Sequence, residues 1–264
     1  HQRPPGTRHQ LVELYRDQVP CQARALSRPI LASFTIFVLG LAIGAWLVST
    51  YPELASLFAS EAMIAKVQSG ELWTDDLLNV TPSSLLSLGI MTNNIAVTFF
   101  AFALGAFYGL GTLYIIGING LMLGGVFALT AQYGLDDELF RFVVAHGMVE
   151  LSIIILAGAA GIRLGEALIR PGHRSRQEAF RDAVAQSGVV IAVGAPFLVG
   201  AGIIEGYISP DPQFGLTIRI VVGLSYWILL LLVLSGRLWP RRAQVLESGR
   251  GSPPRVGSRP ARGP

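Results

Sequence analysis

From Ile30 to Leu234 the chain is a succession of long apolar stretches, and this constrains its fold more than any other feature. The clearest is Ile30 to Thr50, 21 residues without a charge or a proline. As a helix it covers roughly 31 Å, the thickness of a bilayer's hydrocarbon core. Further stretches follow at about Ile90–Ile116, Ile118–Tyr133, Phe140–Leu164, Ser187–Ile204 and Leu216–Leu234. Only 14% of the 264 residues are charged, where an average soluble domain carries about 25%. The expected fold is therefore all-α: a polytopic transmembrane helix bundle of about six spans. The third stretch is short and holds Gly120, Gly124 and Gly125, so it reads either as a tilted span or as a re-entrant hairpin with the second.

Charge gives the orientation. Residues 1–29, the segment 163–186 and the tail 237–264 are basic, whereas the connections 51–90 and 134–139 are acidic. Six spans put all the basic pieces on one side, and the positive-inside rule places both termini in the cytoplasm of a multi-pass cell-membrane protein. Residues 1–29 form a basic N-terminal segment with a short amphipathic turn around Leu11, Leu14 and Tyr15. Residues 30–236 form the bundle, with an external, partly helical loop at 51–90 whose TPSS at 81–84 resembles a helix start. The arginine-rich tail 237–264 reads as disordered and suited to anionic lipid rather than nucleic acid, because no aromatic residue follows Trp239 in it. Ser175 with Glu178 is spaced as a capping box. The lone Cys21 excludes an internal disulfide and a multi-cysteine metal site.

His146 and Glu150 open the fourth stretch four residues apart, which on a helix places them on one face. Ionisable groups at membrane depth are costly and usually face a protein interior or water. The topology puts Asn93, Asn94, His146, Glu150 and Glu205 in the outer half of the membrane, where they can meet as one polar cluster. Such a cluster serves as a proton or ion site, as a weak metal site of one histidine and two carboxylates, or as interhelical hydrogen bonding. The metal reading has His146 and Glu150 as its candidate ligands. Gly105, Gly109, Gly120, Gly124, Gly158 and Gly161 read as helix-packing positions. Arg163 and Glu166 are spaced to pair or else to snorkel, and Arg219 is placed either to pair with Glu205 or to snorkel to the outer headgroups. No catalytic set is complete: HExxH and GxSxG are both missing, and Ser152 is placed to bond back to its own helix. A Glu–His pair alone can still do general acid–base work, but no enzyme and no cofactor is expected.

Three segments carry a resemblance. NNIAVTFFAFALGAFYGLGTLYIIGINGLMLGG, FVVAHGMVELSIIILAGAAGIRLGEAL and IIEGYISP resemble the stage II sporulation protein M family of integral membrane proteins. The most specific positions are Asn93-Asn94, Asn119-Gly120, His146-Gly147 with Glu150, Ala157-Gly158, and Glu205-Gly206 with Pro210. The resemblance implies a non-catalytic membrane scaffold that recruits other membrane or envelope proteins, peptidoglycan hydrolases or an AAA+ ATPase among them. Longer members carry more sequence before the first span, which implies a truncated N-terminus here. The alternatives from the residues themselves are a transporter or channel built on the polar cluster, and a membrane-embedded hydrolase. The bilayer itself is the remaining partner, and the small-xxx-small pairs permit a homo-oligomer.

Overall fold

The computed structural model describes residues 11–73 and 83–238, with 83–91 described by their backbone. The expected helix start at Pro82, the acids Asp75 and Asp76, and nearly all of the basic tail lie outside the described residues. Every regular element among the described residues is a helix. Six long ones follow one another: α2 (Ser27–Thr50), α4 (Ser83–Ala103), α5 (Leu110–Gln132), α7 (Gly147–Ile169), α8 (Arg176–Tyr207) and α9 (Leu216–Ser235). Shorter helices are α1 (Val19–Ala25), α3 (Glu61–Gln68) and α6 (Asp136–Val143). Five of the long helices are apolar and long enough to cross a membrane, and α4 contributes a shorter apolar stretch, Thr92–Ala106. This is the all-α polytopic bundle expected from composition.

α7 is the axis. Of its apolar window 61% is buried inside the protein, against 17% for α9 and 22% for α2. Its composition explains this, because Ala157, Gly158, Ala159, Ala160 and Gly161 let neighbours approach on all sides. Helix α2 runs parallel to α5, and their glycines interlock. A Cβ on Gly44 would run into the Leu121 carbonyl, one on Gly124 into the Leu41 carbonyl, and one on Gly120 into the Phe37 carbonyl. At the other end of α4, Gly105 lies backbone to backbone with Gly161 of α7.

The connection between the second and third apolar stretches differs from the expectation. The chain does not turn around Gly117–Asn119, which lie inside α5. It turns at 104–109, through a 3₁₀ turn, Leu104–Ala106, and two left-handed residues, Tyr108 (φ 53°) and Gly109 (φ 82°). Thr112 Oγ1 donates to the Ala101 carbonyl across this turn at 2.7 Å and pins it. α5 is therefore a full helix of 23 residues and not a re-entrant piece. Gly109 serves the turn rather than a helix face, and Gly165 backs closely against it.

The remaining connections alternate between two ends. On one, α1 buries Val19 against Val193 and Val233, and Pro20 meets Gly236; the amphipathic N-terminal segment is thus packed against the bundle. On the other, Pro52–Leu57 and α3 form a cap. Ser60 caps α3 by accepting from the Met63 amide, and Ala55, Phe58, Val67 and Leu72 share one apolar cluster with Val48, Leu129, Leu135 and Leu139 of the bundle. Helix α6 and the connection 208–215 close the same end. Arg219 binds there to the carbonyls of Arg141 (3.2 Å) and Asp211 (2.9 Å), not to Glu205, which the spacing left open as a partner. Two expected local features are in place: the Ser175–Glu178 capping box opening α8, and the Arg163–Glu166 pair at 3.0 Å.

Candidate functional site

The site is set by a break. The fourth apolar stretch is not one helix: α6 ends at Val143, residues 144–146 turn, and α7 begins at Gly147 with His146 as its N-cap. Gly223 of α9 makes room for the break, since a Cβ there would collide with the Val144 carbonyl. Glu150 follows in the first turn of α7, where the helix dipole favours a negative charge. Glu205 lies in the last turn of α8, whose carbonyl end favours a positive charge nearby.

Three side chains converge there. His146, Glu150 and Glu205 each offer one donor atom, and these atoms lie within 4.8 Å of one another. All three residues are more than nine-tenths buried, with 3%, 7% and 6% of their surface exposed. His146 Nε2 stands 3.6 Å from Glu205 Oε1, and its Nδ1 pairs with Ser209 Oγ at 2.9 Å. The Phe142 ring meets the imidazole edge-on at 5.6 Å. Glu150 bonds with the side chain of Asn94. One oxygen of each carboxylate, Glu150 Oε1 and Glu205 Oε2, is buried with no hydrogen-bond partner among the described residues. Leaving such an atom without any partner costs about 1–3 kcal/mol or more, so each oxygen calls for a proton, a water or an ion.

His146, Glu150 and Glu205 are all among the residues that line a cavity of about 470 Å³. Its walls carry Asn93, Asn94 and Asn119 besides the triad, while Met63 and Trp73 reach it from the cap side. The rest of the lining is largely apolar, including Phe37, Leu123 and Ile154. Further along α7, Gly161 meets Gly105 and Gly165 meets Gly109 backbone to backbone.

All five polar residues singled out in the sequence therefore line one cavity. Asn94, His146, Glu150 and Glu205 form its bonded or closely spaced core, while Asn93 lies on the wall, itself exposed. Glu205 completes a donor set for which the α7 residues alone were the sequence candidates. Sequence reasoning missed Ser209, which lies just past the end of α8, where no helical spacing points to it. It also missed Asn119, whose amide donates to the Ile115 carbonyl at 2.8 Å and which faces the cavity from α5. Ser152 does bond back, to the Met148 carbonyl at 2.7 Å, and also accepts from Trp227 Nε1 at 3.0 Å, tying α9 to α7.

Residues 33–210 match a family model described as Stage II sporulation protein M. No curated protein and no solved structure gives a significant match. The matched region takes in the whole triad and ends one residue past Ser209, leaving α9 outside it.

Proposed function

The chain belongs to the stage II sporulation protein M family, and from that premise we propose that it is a multi-pass membrane protein whose working part is a cation-binding chamber. The basic ends place the termini in the cytoplasm, so the chamber faces the outer side of the cell membrane. The observation that carries this reading is the convergence of His146, Glu150 and Glu205, which all line one cavity, with two carboxylate oxygens left unpartnered among the described residues. Two carboxylates facing each other in a low-dielectric site need a positive charge between them, whether proton or metal ion.

The test is equilibrium binding to the purified, detergent-solubilised protein, with Na⁺, Ca²⁺, Mn²⁺ and Zn²⁺ as probes. At least one is expected to bind saturably at about one ion per chain, with affinity lowered more than tenfold in Glu150→Gln/Glu205→Gln. Equal binding by both proteins across the whole panel would overturn the reading. The same protein in liposomes separates uses of the site: accumulation of the bound ion in the lumen indicates transport, and binding without accumulation indicates a sensor or structural role.

A second reading, a scaffold for envelope enzymes, is supported by the cap. Its apolar side chains share a cluster with the ends of α2 and α5, so it presents a fixed outer surface of the kind a docking element needs. Co-purification from native membranes, with and without residues 52–73, tests this. A cell-wall hydrolase or ATPase retained by the full chain and lost with the cap is the expected result, and an unchanged set of bound proteins would sink it.

A further inference from the structure

We infer that the chamber is a site for a divalent transition-metal ion, with Zn²⁺ the best fit. His146 Nε2, Glu150 and Glu205 act as ligands, and the fourth position is open to the cavity. This rests on the cation-binding reading above and sharpens it from any cation to one class. An imidazole nitrogen among the donors favours zinc, iron, nickel or Cu(II) over sodium, magnesium, calcium or manganese, which suit oxygen donors. The absence of sulfur donors from the triad disfavours Cu(I).

The geometry is that of a preformed but expanded site. Zinc holds nitrogen and carboxylate oxygen at about 2.0–2.2 Å, so the ligand atoms of a tetrahedral ion lie about 3.3–3.6 Å apart. His146 Nε2 and Glu205 Oε1 already stand at 3.6 Å, and the whole donor triangle fits within 4.8 Å. Closing it needs about 1 Å of side-chain movement. The charges also balance, because two carboxylates and a dication are together neutral, the form of least cost inside a membrane.

The supporting groups are those a metal site needs. Ligating histidines engage the ring nitrogen that does not touch the metal with a hydrogen-bonding partner, which fixes the tautomer. His146 does this through Nδ1 and Ser209 Oγ, and Nε2 is the atom turned towards Glu205. Asn94 plays the corresponding part for Glu150. Three protein ligands with an open fourth position are the pattern of zinc sites that keep an exchangeable water or bind a ligand, whereas purely structural sites are closed by four. The open position here faces about 470 Å³ of mostly apolar cavity, which selects a ligand with one polar end and an apolar body.

The experiment uses the full chain in detergent, stripped with chelator and reloaded with Zn²⁺ or with Co²⁺ as a spectroscopic probe. Elemental analysis is expected to give about one zinc per chain, and Co²⁺ is expected to give the strong visible absorption of a four-coordinate ion. His146→Ala, Glu150→Gln and Glu205→Gln are each expected to lose the metal, whereas His9→Ala/His173→Ala keeps it. Ser209→Ala is expected to weaken binding by about 10–100-fold while leaving the stoichiometry intact. Size-exclusion elution identifies any variant that has failed to fold, and the Ser209→Ala shift then decides the matter in a folded protein. Metal retained by Glu150→Gln and Glu205→Gln, or no zinc bound by the wild type, overturns the proposal. If Na⁺ or Ca²⁺ still binds through the carboxylates in that case, the metal assignment fails alone; if no probe binds, the cation reading fails with it.

Discussion

Replacing Glu150 and Glu205 together with methionine is expected to stabilise the metal-free protein by about 1–4 kcal/mol while abolishing cation binding. Both carboxylates are more than nine-tenths buried, and each carries an oxygen with no partner among the described residues. Methionine keeps the length and flexibility of glutamate and removes the desolvation cost. Asn94, which is only half-buried, loses its bond to Glu150 but can turn to water in the cavity. The measurement is an SDS or denaturant titration of both proteins in chelator, with binding assayed in parallel. The sign carries the information. A gain in stability means the carboxylates are held for a ligand at the expense of the fold; a loss of more than about 1 kcal/mol would mean they are internal bonding partners and would count against the site.

The largest loss is expected where helices touch backbone to backbone. Gly124→Leu places a branched side chain where even a Cβ collides with the Leu41 carbonyl, and Gly44→Leu does the same against Leu121. Overpacking inside a fixed core costs typically 1–3 kcal/mol. Here the obstacle is main chain along a helix pair, which has no rotamer to change, so the upper end or beyond is expected. The double variant is expected to give no folded protein on size exclusion. Gly188→Ala is the control: nothing lies within 4 Å of its added Cβ, and in the middle of α8 it is expected to be neutral or to stabilise by up to about 1 kcal/mol. If Gly124→Leu and Gly188→Ala have the same thermal midpoint, the α2–α5 seam is not what holds the bundle together.

These glycines also show why the sequence was legible in part. Apolar length and charge asymmetry fixed the helix count and the alternation of ends, because a membrane-thick uncharged segment has few other solutions. The polar residues were legible for the same reason, since each is expensive at its depth. The turn between α4 and α5 was not. Gly117, Asn119 and Gly120 have the composition of a turn, yet Gly120 is used for close approach to Phe37 and Asn119 bonds within its own helix. The true turn, LGAFYG, is apolar throughout and relies on Tyr108 in a left-handed conformation that no local pattern announces. The break at 144–146 was hidden likewise, because the Gly223 contact that accommodates it comes from a helix residue 79 positions beyond Val144. For Arg219 the sequence left pairing with Glu205 or snorkelling open, and the guanidinium instead binds two carbonyls at the cap end.

Helices α4 and α7 behave as tongs. They meet at one end, where Gly105 in the turn after α4 lies against Gly161, and the cavity lies between them at the other. Glu150 lies about 16 Å along α7 from that contact, at about 1.5 Å per residue. A swing of about 3–4° about that contact moves Glu150 by about 1 Å against Asn94 of α4, while Glu205 stands on α8 and belongs to neither arm. The cap rests on α2 and α5 rather than on this pair.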